Sequence, residues 1–313
     1  MRVSVLVTTF ARKAYLERCI QGLLGQTRLP EEIVLVTRKG DSETEDFVGD
    51  FLGSYRGPVQ VRRGEVSEPG VLPANRAGLP LVTGEILCYI DDDAVARRDW
   101  IERIERRFEE FPDLGAIGGR DVQQTSKGTP DDLVKEIGRI HWYGKITGQH
   151  HLRLPGLRDV EALKGCNMAF RRFLVTGFDE GIIGDGFFYE VDLCFTARRA
   201  GYKVKYDGDL LVDHYVEAPR MLPGNADPHD PKRFFFMNHN CVYVMLRNLP
   251  FARKIVFMAY SILWDAAATP FRLLAGRPAG RPRVVWAIFR GKMSGLREYF
   301  ARRVSPGAER ADP

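Results

Sequence analysis

Three consecutive aspartates, Asp91, Asp92 and Asp93, directly follow the apolar segment Ile86–Ile90. In extended backbone, alternate side chains share a face, so Asp91 and Asp93 point the same way. Two carboxylate oxygens suit a hard divalent cation, such as Mn²⁺ or Mg²⁺, beside a phosphate. The same residues also fit an acidic turn that leads into a helix, so this motif alone leaves both interpretations open.

The first predicted strand ends in Thr8-Thr9-Phe10-Ala11-Arg12, a segment without glycine. A dinucleotide fingerprint needs G-x-G-x-x-G at this point, and a P-loop needs G-x-x-x-x-G-K-[ST]. The sequence therefore argues against ordinary NAD dehydrogenases and P-loop NTPases. The Thr8 and Thr9 hydroxyls and the Arg12 guanidinium can still contact a nucleotide, or they can simply end a strand and cap the next helix.

Further candidates for chemistry lie downstream. Glu190 and Asp192 stand two residues apart at the start of a predicted helix over 189–200, where the helix dipole favours an ionised carboxylate. A general base must be ionised and positioned, and Glu190 is the freer of the two to face a cleft. Asp192 also fits an ordinary acid of a helix's first turn. His214, after the predicted strand 210–212, fits either a ligand or a structural histidine.

The elements that must position these residues alternate between strand and helix. Their continuous apolar strands predict an α/β fold with a mostly parallel sheet covered on both faces. Ligands of such sheets bind at the carboxyl ends of the strands. Asp99 and Glu102 predict a capping box for the helix after the aspartates, and 118–160 is predicted to be irregular. The predicted strands are 3–7, 33–36, 59–61, 86–90, 203–206 and 210–212, with further helices at 16–24 and 74–82.

The C-terminal part of the chain is basic and aromatic. Residues 247–313 hold 13 Lys and Arg against 4 Asp and Glu. A helix over 255–268, closed by Pro270, would be about 21 Å long and too short for a hydrocarbon core of about 30 Å. A second helix over 284–300 has an interfacial composition. We expect peripheral contact with an anionic membrane face; a helical cover for the sheet or a dimer interface is the alternative.

Composition sets the remaining bounds. The 313 residues are 44% hydrophobic and 28% charged, which is typical of a folded globular protein. The five cysteines are scattered and odd in number, which predicts reduced thiols. The apolar start of the chain is too short for a signal peptide. These observations predict a cytoplasmic protein, placed by its basic helices at the inner face of the cell membrane.

Several motifs occur in a fixed order over about residues 1–216. They are Val3 to Phe10, the DxD-containing strand Thr83 to Ala94, Gly177 to Glu180, Glu190 to Leu193, and Arg198 to Tyr202. Together they resemble glycosyltransferase family 2 enzymes of the GT-A fold. The resemblance implies a Rossmann-like sheet flanked by helices, with a C-terminal helical membrane-associating region.

The implied domain organisation follows. Residues 1–218 would form the glycosyltransferase domain, with a nucleotide-sugar half over about 1–120 and an acceptor half over about 120–218. A linker at 219–231 would lead to a basic aromatic helical region at 232–304 and a flexible tail at 305–313.

The resemblance also implies a reaction: metal-dependent, inverting transfer of a sugar from a nucleotide-sugar donor to a hydroxyl group. The basic tail favours a lipid-linked saccharide, glycolipid or cell-envelope polysaccharide as the acceptor. Asp91 would contact the nucleoside side of the donor, and Asp93 would bind Mn²⁺ or Mg²⁺. Glu190 would be the general base, with Asp192 as a second candidate.

The other implied site residues form three sets. The donor-binding set is Thr8, Thr9, Phe10, Arg12, Asp41, Asn75, Asp91 and Asp92. The metal set is Asp93, Asp91 and His214. The acceptor and sugar pocket set is Gly165, Cys166, Asn167 and Met168.

The chain departs from the family pattern at two points. Where the family has an aspartate that reads the base, residues 37–40 intervene and Asp41 comes late, so base recognition stays open. Thr196 replaces an arginine that usually follows the aspartate corresponding to Asp192. The alternatives are a sugar nucleotidyltransferase, which would need a Gly-rich loop after the first strand, and a catalytically silent sugar- or nucleotide-binding module. No recognised nucleic-acid module accompanies the basic charge, so we expect no nucleic-acid partner.

Overall fold

The computed structural model describes residues 1–216, 230–274 and 281–304. The strands are β1 (Val3–Thr8), β2 (Glu32–Arg38), β3 (Gln60–Val66), β4 (Ile86–Ile90), β5 (Ala94–Ala96), β6 (Leu114–Gln123), β7 (Arg139–Ile140), β8 (Ile146–Thr147), β9 (Leu157–Asp159), β10 (Asn167–Arg171) and β11 (Lys203–His214). The helices are α1 (Lys13–Leu24), α2 (Ser42–Ser54), α3 (Val71–Gly78), α4 (Trp100–Glu110), α5 (Tyr189–Arg199), α6 (Pro231–Asn248), α7 (Phe251–Leu274) and α8 (Pro282–Val304).

The main sheet has the strand order β3-β2-β1-β4-β10-β6-β11-β5, and β9 pairs with β11. Strands β3, β2, β1 and β4 are parallel to one another, as are β6 and β11. Strand β10 runs antiparallel between β4 and β6, and β5 and β9 run antiparallel to β11. The predicted α/β fold is confirmed, and its sheet is parallel in the N-terminal half and mixed in the remainder.

Continuous burial explains why the first strands are central. All five residues of β4 and the first five of β1 are buried. Helix α1 buries Leu16, Ile20 and Leu23 at helical spacing, and α4 buries Trp100. Burying one large apolar side chain contributes about 1.5–3 kcal/mol. This core fixes the ends of the strands, from which the loops of the site begin.

Strand β6 is a ten-residue strand where irregular structure was predicted from residue 118. The glycines that suggested loops are required by close packing: a Cβ on Gly118 would lie 2.9 Å from the carbonyl oxygen of Asn167, and one on Gly119 would collide with that of Leu210. Glycine here lets neighbouring backbone approach, so it does not break the strand.

Local signals failed at three other places. The predicted capping box is absent: Asp99 accepts from Arg103 at 3.4 Å, and Glu102 accepts from the Thr27 hydroxyl at 2.6 Å. The predicted strands 203–206 and 210–212 form one strand, β11, with an irregularity between them. Helix α3 ends at Gly78, and the 3₁₀ turn Leu79–Leu81 follows it.

The chain forms two compact units. The described part of the first comprises Met1–Ile140, Ile146–Phe178 and 193–216; that of the second comprises His141–Lys145, Asp179–Asp192, 230–274 and 281–304. Asp179–Asp192 therefore groups with the C-terminal helices, although we placed it within a domain over 1–218. The predicted tail at 305–313 and all of the predicted linker except its last two residues lie outside the described residues.

The second unit is mainly helical. Helix α7 continues through Pro270, so the predicted end of the helix at that residue is wrong; proline removes one backbone hydrogen bond without ending this helix. Among the helices in the described ranges, none combines the length and apolar character needed to cross a bilayer. No disulfide joins any of the five cysteines.

Candidate active site

Asp91, Asp93 and His214 converge in the first unit. One ligand atom from each lies within 4.8 Å of the others. The sheet explains the convergence: the aspartates follow β4, His214 ends β11, and His214 pairs in register with Ala94 of β5. The Tyr215 amide also donates to the Asp93 carbonyl oxygen at 2.8 Å. The structure thus brings together the three residues proposed from the sequence as metal ligands.

The donor atoms of this cluster fit a divalent cation. Two carboxylates and one imidazole are ligands that Mn²⁺ accepts, and Mg²⁺ shares the preference for carboxylate oxygen. His214 Nε2 lies 3.4 Å from Asp93 Oδ1, longer than the 2.7–2.9 Å or so of a strong charge-assisted hydrogen bond. The contact between them is therefore loose enough to be replaced by bonds to an ion.

Arg12 holds the other side of the aspartate motif. Its Nη2 lies 2.7 Å from Asp92 Oδ1, and its Nη1 lies 2.5 Å from Asp93 Oδ2. Asp92 is fully buried, and burial raises its pKa to about 7 although the Arg12 charge opposes the rise. Burial also raises the pKa of Asp93, but the His214 contact and Arg12 outweigh it and hold that pKa below its ordinary value. Arg12 is thus the cation that keeps two buried carboxylates together.

Asp121, at the end of β6, orients His214. Its Oδ2 lies 3.2 Å from His214 Nδ1, and the same oxygen pairs with Lys164. Burial raises the pKa of Asp121, but His214 and Lys164 outweigh it and lower the pKa to about 2. A carboxylate on one imidazole nitrogen fixes the ring and directs the other nitrogen toward a ligand. Sequence reasoning missed Asp121 because it lies in the region predicted to be irregular.

Acidic side chains surround the imidazole. Burial lowers the pKa of His214, but the carboxylates of Asp121 and Asp93 raise it well above its ordinary value. Cys166 Sγ, Asp121 and His214 also lie within 4.8 Å of one another. Burial raises the pKa of the Cys166 thiol, so the sulfur stays protonated at neutral pH.

The predicted acceptor segment divides into two parts. Gly165 is half-buried and precedes Cys166, which adjoins the His214 cluster. Asn167 is buried: its amide donates to the carbonyl oxygens of Arg120 and Leu210, and its Oδ1 accepts from Trp100 Nε1 at 2.8 Å. The side chain of Met168 is also fully buried. The structure therefore gives Asn167 and Met168 interior positions.

The loop after β1 meets Asp41. The Asp41 carboxylate accepts from the Ala11 amide at 2.5 Å and caps α2 through the Thr44 amide. Ala11 has a φ of 52°, a left-handed conformation that alanine rarely adopts. The Phe10 ring lies 4.2 Å from the Arg38 guanidinium carbon. Asp41 is late in sequence, yet the fold brings it to the loop predicted to contact the donor.

Three further donor candidates lie in the same unit. Thr8 ends β1 and is half-buried; Thr9 is buried, and its amide donates to the Val36 carbonyl oxygen at 3.0 Å. Asn75 on α3 is 2% exposed, and within the described ranges no acceptor lies within hydrogen-bond distance of its Nδ2. A buried amide without an acceptor is costly unless something binds it.

Glu190 and Asp192 occupy the first turn of α5, in the second unit. Asp192 is 6% exposed, and its two oxygens lie 2.8 and 3.0 Å from Arg247 Nη1. Asn248 Nδ2 donates to the same carboxylate at 2.7 Å. Glu190 is half-buried. An arginine and an amide therefore hold the Asp192 carboxylate in place.

Arg247 joins a second carboxylate of the same unit. Its Nε lies 3.1 Å from Asp179 Oδ2, and the Tyr243 hydroxyl donates to Asp179 Oδ1 at 2.7 Å. We name Asp179, Asp192 and Arg247 the arginine clamp. The sequence pattern did not indicate Arg247, because it comes from α6, 55 residues after Asp192 in the chain.

Solved structures with the same fold include a mannosyltransferase and a protein in complex with UDP-GlcNAc. The mannosyltransferase PcManGT of Pyrobaculum calidifontis, in complex with GDP-Man and Mn²⁺, matches with a TM-score of 0.55 and 16% identity, over 98% of this chain and 88% of that chain. TarS residues 1–349 of S. aureus, in complex with UDP-GlcNAc, match with a TM-score of 0.58 and 14% identity, over 97% and 92%. At such identities the likeness shows the GT-A fold.

Sequence similarity is more specific. The glucosyl-dolichyl phosphate glucuronosyltransferase of Haloferax volcanii is 30% identical over 228 residues, covering 68% of this chain and 69% of the relative. Residues 4–175, more than half of the chain, match the family model for glycosyl transferase family 2. The chain therefore belongs to glycosyltransferase family 2.

Proposed function

We propose that the protein is a metal-dependent, inverting glycosyltransferase that uses a nucleotide-sugar donor and a lipid-linked saccharide, glycolipid or cell-envelope polysaccharide as acceptor. The observation that carries the metal part is the convergence of Asp91, Asp93 and His214 within 4.8 Å. Mn²⁺ in the PcManGT structure supports the choice of ion. Family membership favours this activity over the nucleotidyltransferase alternative.

Asp93, Asp91 and His214 would hold the cation, and Asp121 would orient His214. When bound, a divalent cation offsets the charge that develops on the departing diphosphate. Arg12 adds fixed positive charge at the same aspartates. We assign donor contacts to the β1 loop, to Asp41 beside it and to Asn75, whose Nδ2 has no acceptor among the described residues.

Glu190 is proposed as the general base. It accepts the proton of the acceptor hydroxyl as that oxygen forms a bond to the anomeric carbon. The bond between the anomeric carbon and the diphosphate oxygen breaks on the opposite side, so the configuration inverts. The electron pair leaves with the nucleoside diphosphate. The arginine clamp supports this assignment because it occupies the competing carboxylate, Asp192.

Two observations support a lipid-linked acceptor. The Haloferax relative is named for a glucosyl-dolichyl phosphate. In the second unit, α7 exposes large apolar side chains in a basic part of the chain, where each Lys or Arg near an anionic membrane adds about 1 kcal/mol of attraction. We propose peripheral membrane contact through these helices. The exposed apolar residues of α7 are Phe251, Ile255, Ile262, Leu263 and Trp264.

A thermal-shift panel of UDP-, GDP-, dTDP- and CMP-sugars, with and without Mn²⁺, tests the donor and metal together. Ligand binding to the folded state raises stability by mass action, by about 2.7 kcal/mol at one hundred times Kd. We expect one nucleotide sugar to raise Tm by several degrees only with Mn²⁺. Asp93→Asn should remove the Mn²⁺-dependent part of that rise.

The matched control is Asp50→Asn, an exposed aspartate on α2. It should leave the shift unchanged. A metal-dependent shift that survives in Asp93→Asn would contradict the ligand assignment. A shift with a nucleoside triphosphate alone would favour the nucleotidyltransferase, and a donor shift without any transfer would favour the silent binding module.

A further inference from the structure

A cavity of about 410 Å³ lies between α6 and α8 of the second unit. Lys232 and Phe235 of α6 line it, together with Arg283, Trp286 and Arg290 of α8. Small-molecule sites have volumes of about 300–1,000 Å³, so the cavity can hold a compact ligand. None of these residues takes part in the chemistry proposed above.

Two glycines determine how the cavity is built. A Cβ on Gly291 would collide with the Phe235 carbonyl oxygen, and one on Gly295 would collide with that of His239. The same four-residue step in both helices shows that α6 and α8 run parallel in close contact. Their N-terminal ends therefore lie at the same end of the pair, where the cavity is. Such ends carry partial positive charge.

The cavity is cationic. Within the part of the chain that the structure describes, Lys232, Arg283 and Arg290 form no ion pair with a carboxylate; Arg290 lies 6.0 Å from the centre of the Phe235 ring. Asp230 precedes α6 and accepts from the Lys232 amide at 2.8 Å, but it is not among the residues that line the cavity. Arginine forks match phosphate oxygens in geometry and charge. The cavity is thus suited to a phosphate group.

An apolar stripe begins at the same place. Trp286 lines the cavity and stacks on Phe289, with ring centres 5.6 Å apart. Met293 and Phe300 continue the same face of α8 at spacings of four and seven residues. Each of these four side chains is about half exposed. A ligand whose phosphate enters the cavity could therefore lay an apolar chain along α8.

We propose that the cavity binds the phosphate of a lipid phosphate, with the lipid chain along the stripe Trp286–Phe289–Met293–Phe300. Cations alone would suit any anion, and the stripe alone would suit any apolar surface; their continuity at Trp286 selects a molecule that carries both groups. If the proposed function holds, the cavity anchors the lipid-linked acceptor while its saccharide is extended.

Isothermal titration of the whole protein with soluble probes below their micellar concentrations tests this. We expect decyl phosphate to bind at least tenfold more tightly than decyl maltoside or inorganic phosphate. Arg290→Gln should weaken decyl phosphate binding about tenfold or more, since a hydrogen bond to a charged group contributes about 1.5–3 kcal/mol. The matched control is Arg297→Gln, an exposed arginine two turns further along α8, which should bind like the wild type.

Three results would overturn the inference. Equal weakening by Arg290→Gln and Arg297→Gln would show diffuse attraction to a basic surface. Inorganic phosphate binding as tightly as decyl phosphate would show a site for free anions. Decyl maltoside binding as tightly as decyl phosphate would show an apolar surface without a phosphate site.

The same preparations separate this inference from the proposed function. Binding of a nucleotide sugar with Mn²⁺ but not of decyl phosphate would overturn the lipid phosphate site and leave the proposed donor chemistry intact. Arg290-dependent binding of decyl phosphate without binding of any nucleotide sugar would support the lipid phosphate site and contradict the proposed donor chemistry. In a transfer assay, Arg290→Gln should raise KM for a lipid-linked acceptor at least tenfold and leave KM for the donor unchanged.

Discussion

Two groups of carboxylates in this chain have similar side chains and different surroundings. In the first unit, Asp91, Asp92 and Asp93 crowd together: burial and the Asp93 charge raise the pKa of Asp91, and burial raises that of Asp92 to about 7. In the second unit, Asp179 and Asp192 share Arg247 and also accept hydrogen bonds from neutral donors. The first group combines burial with like-charge crowding, whereas neutral donors complete the hydrogen bonds of the second.

The proposed function predicts that this difference separates carboxylates that bind ligand from carboxylates that stabilise the fold. Crowded, buried like charges are unfavourable, so the first group gains from an added cation. In the arginine clamp, Tyr243 and Asn248 add neutral hydrogen-bond donors to the ion pairs with Arg247. We therefore expect substitutions in the first group to change binding and reaction, and substitutions in the clamp to change stability.

Glu190→Gln should have the largest effect. Losing a general base costs about 10²–10⁴-fold in rate, so kcat should fall by that much while donor affinity stays the same. Single-turnover transfer and a donor titration measure the two quantities separately. The control is Glu43→Gln, which changes a first-turn glutamate of α2 and should leave kcat and donor affinity unchanged. An active Glu190→Gln enzyme would indicate that Asp192, inside the arginine clamp, is the general base.

Asp121→Asn should have an intermediate effect. It removes the carboxylate that fixes His214, and loss of such an outer partner weakens metal affinity about 10–100-fold. The control is Asp207→Asn, since Asp207 is equally buried and also pairs with arginines, but outside the cluster. Mn²⁺ titration followed by Tm should show weaker binding only in Asp121→Asn. Equal affinity in both variants would show that Asp121 serves stability alone.

The sequence predicted what local patterns control. The apolar runs located β1, β2 and β4, and the aspartates after β4 were recognised as candidate ligands because an acidic segment at a strand end is a local signal. Asp121 and Arg247 were missed because their roles depend on tertiary neighbours: Asp121 needs His214 from β11, and Arg247 reaches Asp192 from α6.

The glycines of β6 also led to a wrong prediction that depends on tertiary neighbours. Gly118 and Gly119 suggested a loop, yet they lie in a buried strand because neighbouring backbone approaches too closely for a Cβ. The pattern of a single chain does not distinguish a glycine that turns from one that packs. The capping box predicted at Asp99 and Glu102 is absent because both carboxylates have other partners. Asp99 accepts from Arg103, and Glu102 accepts from the Thr27 hydroxyl.

Asp192→Asn should have the smallest effect on catalysis and a clear effect on stability. It removes one of the two ion pairs that Arg247 forms within the described residues; because Arg247 is about one-third exposed, the loss should be about 1–3 kcal/mol, below that of a fully buried pair. Denaturant unfolding measures this loss, and kcat per folded molecule should stay within a few-fold of the wild type. In a double-mutant cycle with Arg247→Met, the double variant should lose less stability than the sum of the two single losses, since both substitutions remove the same contact. A stable but inactive Asp192→Asn enzyme would place the reacting carboxylate inside the clamp, and additive losses would show that the two side chains act independently.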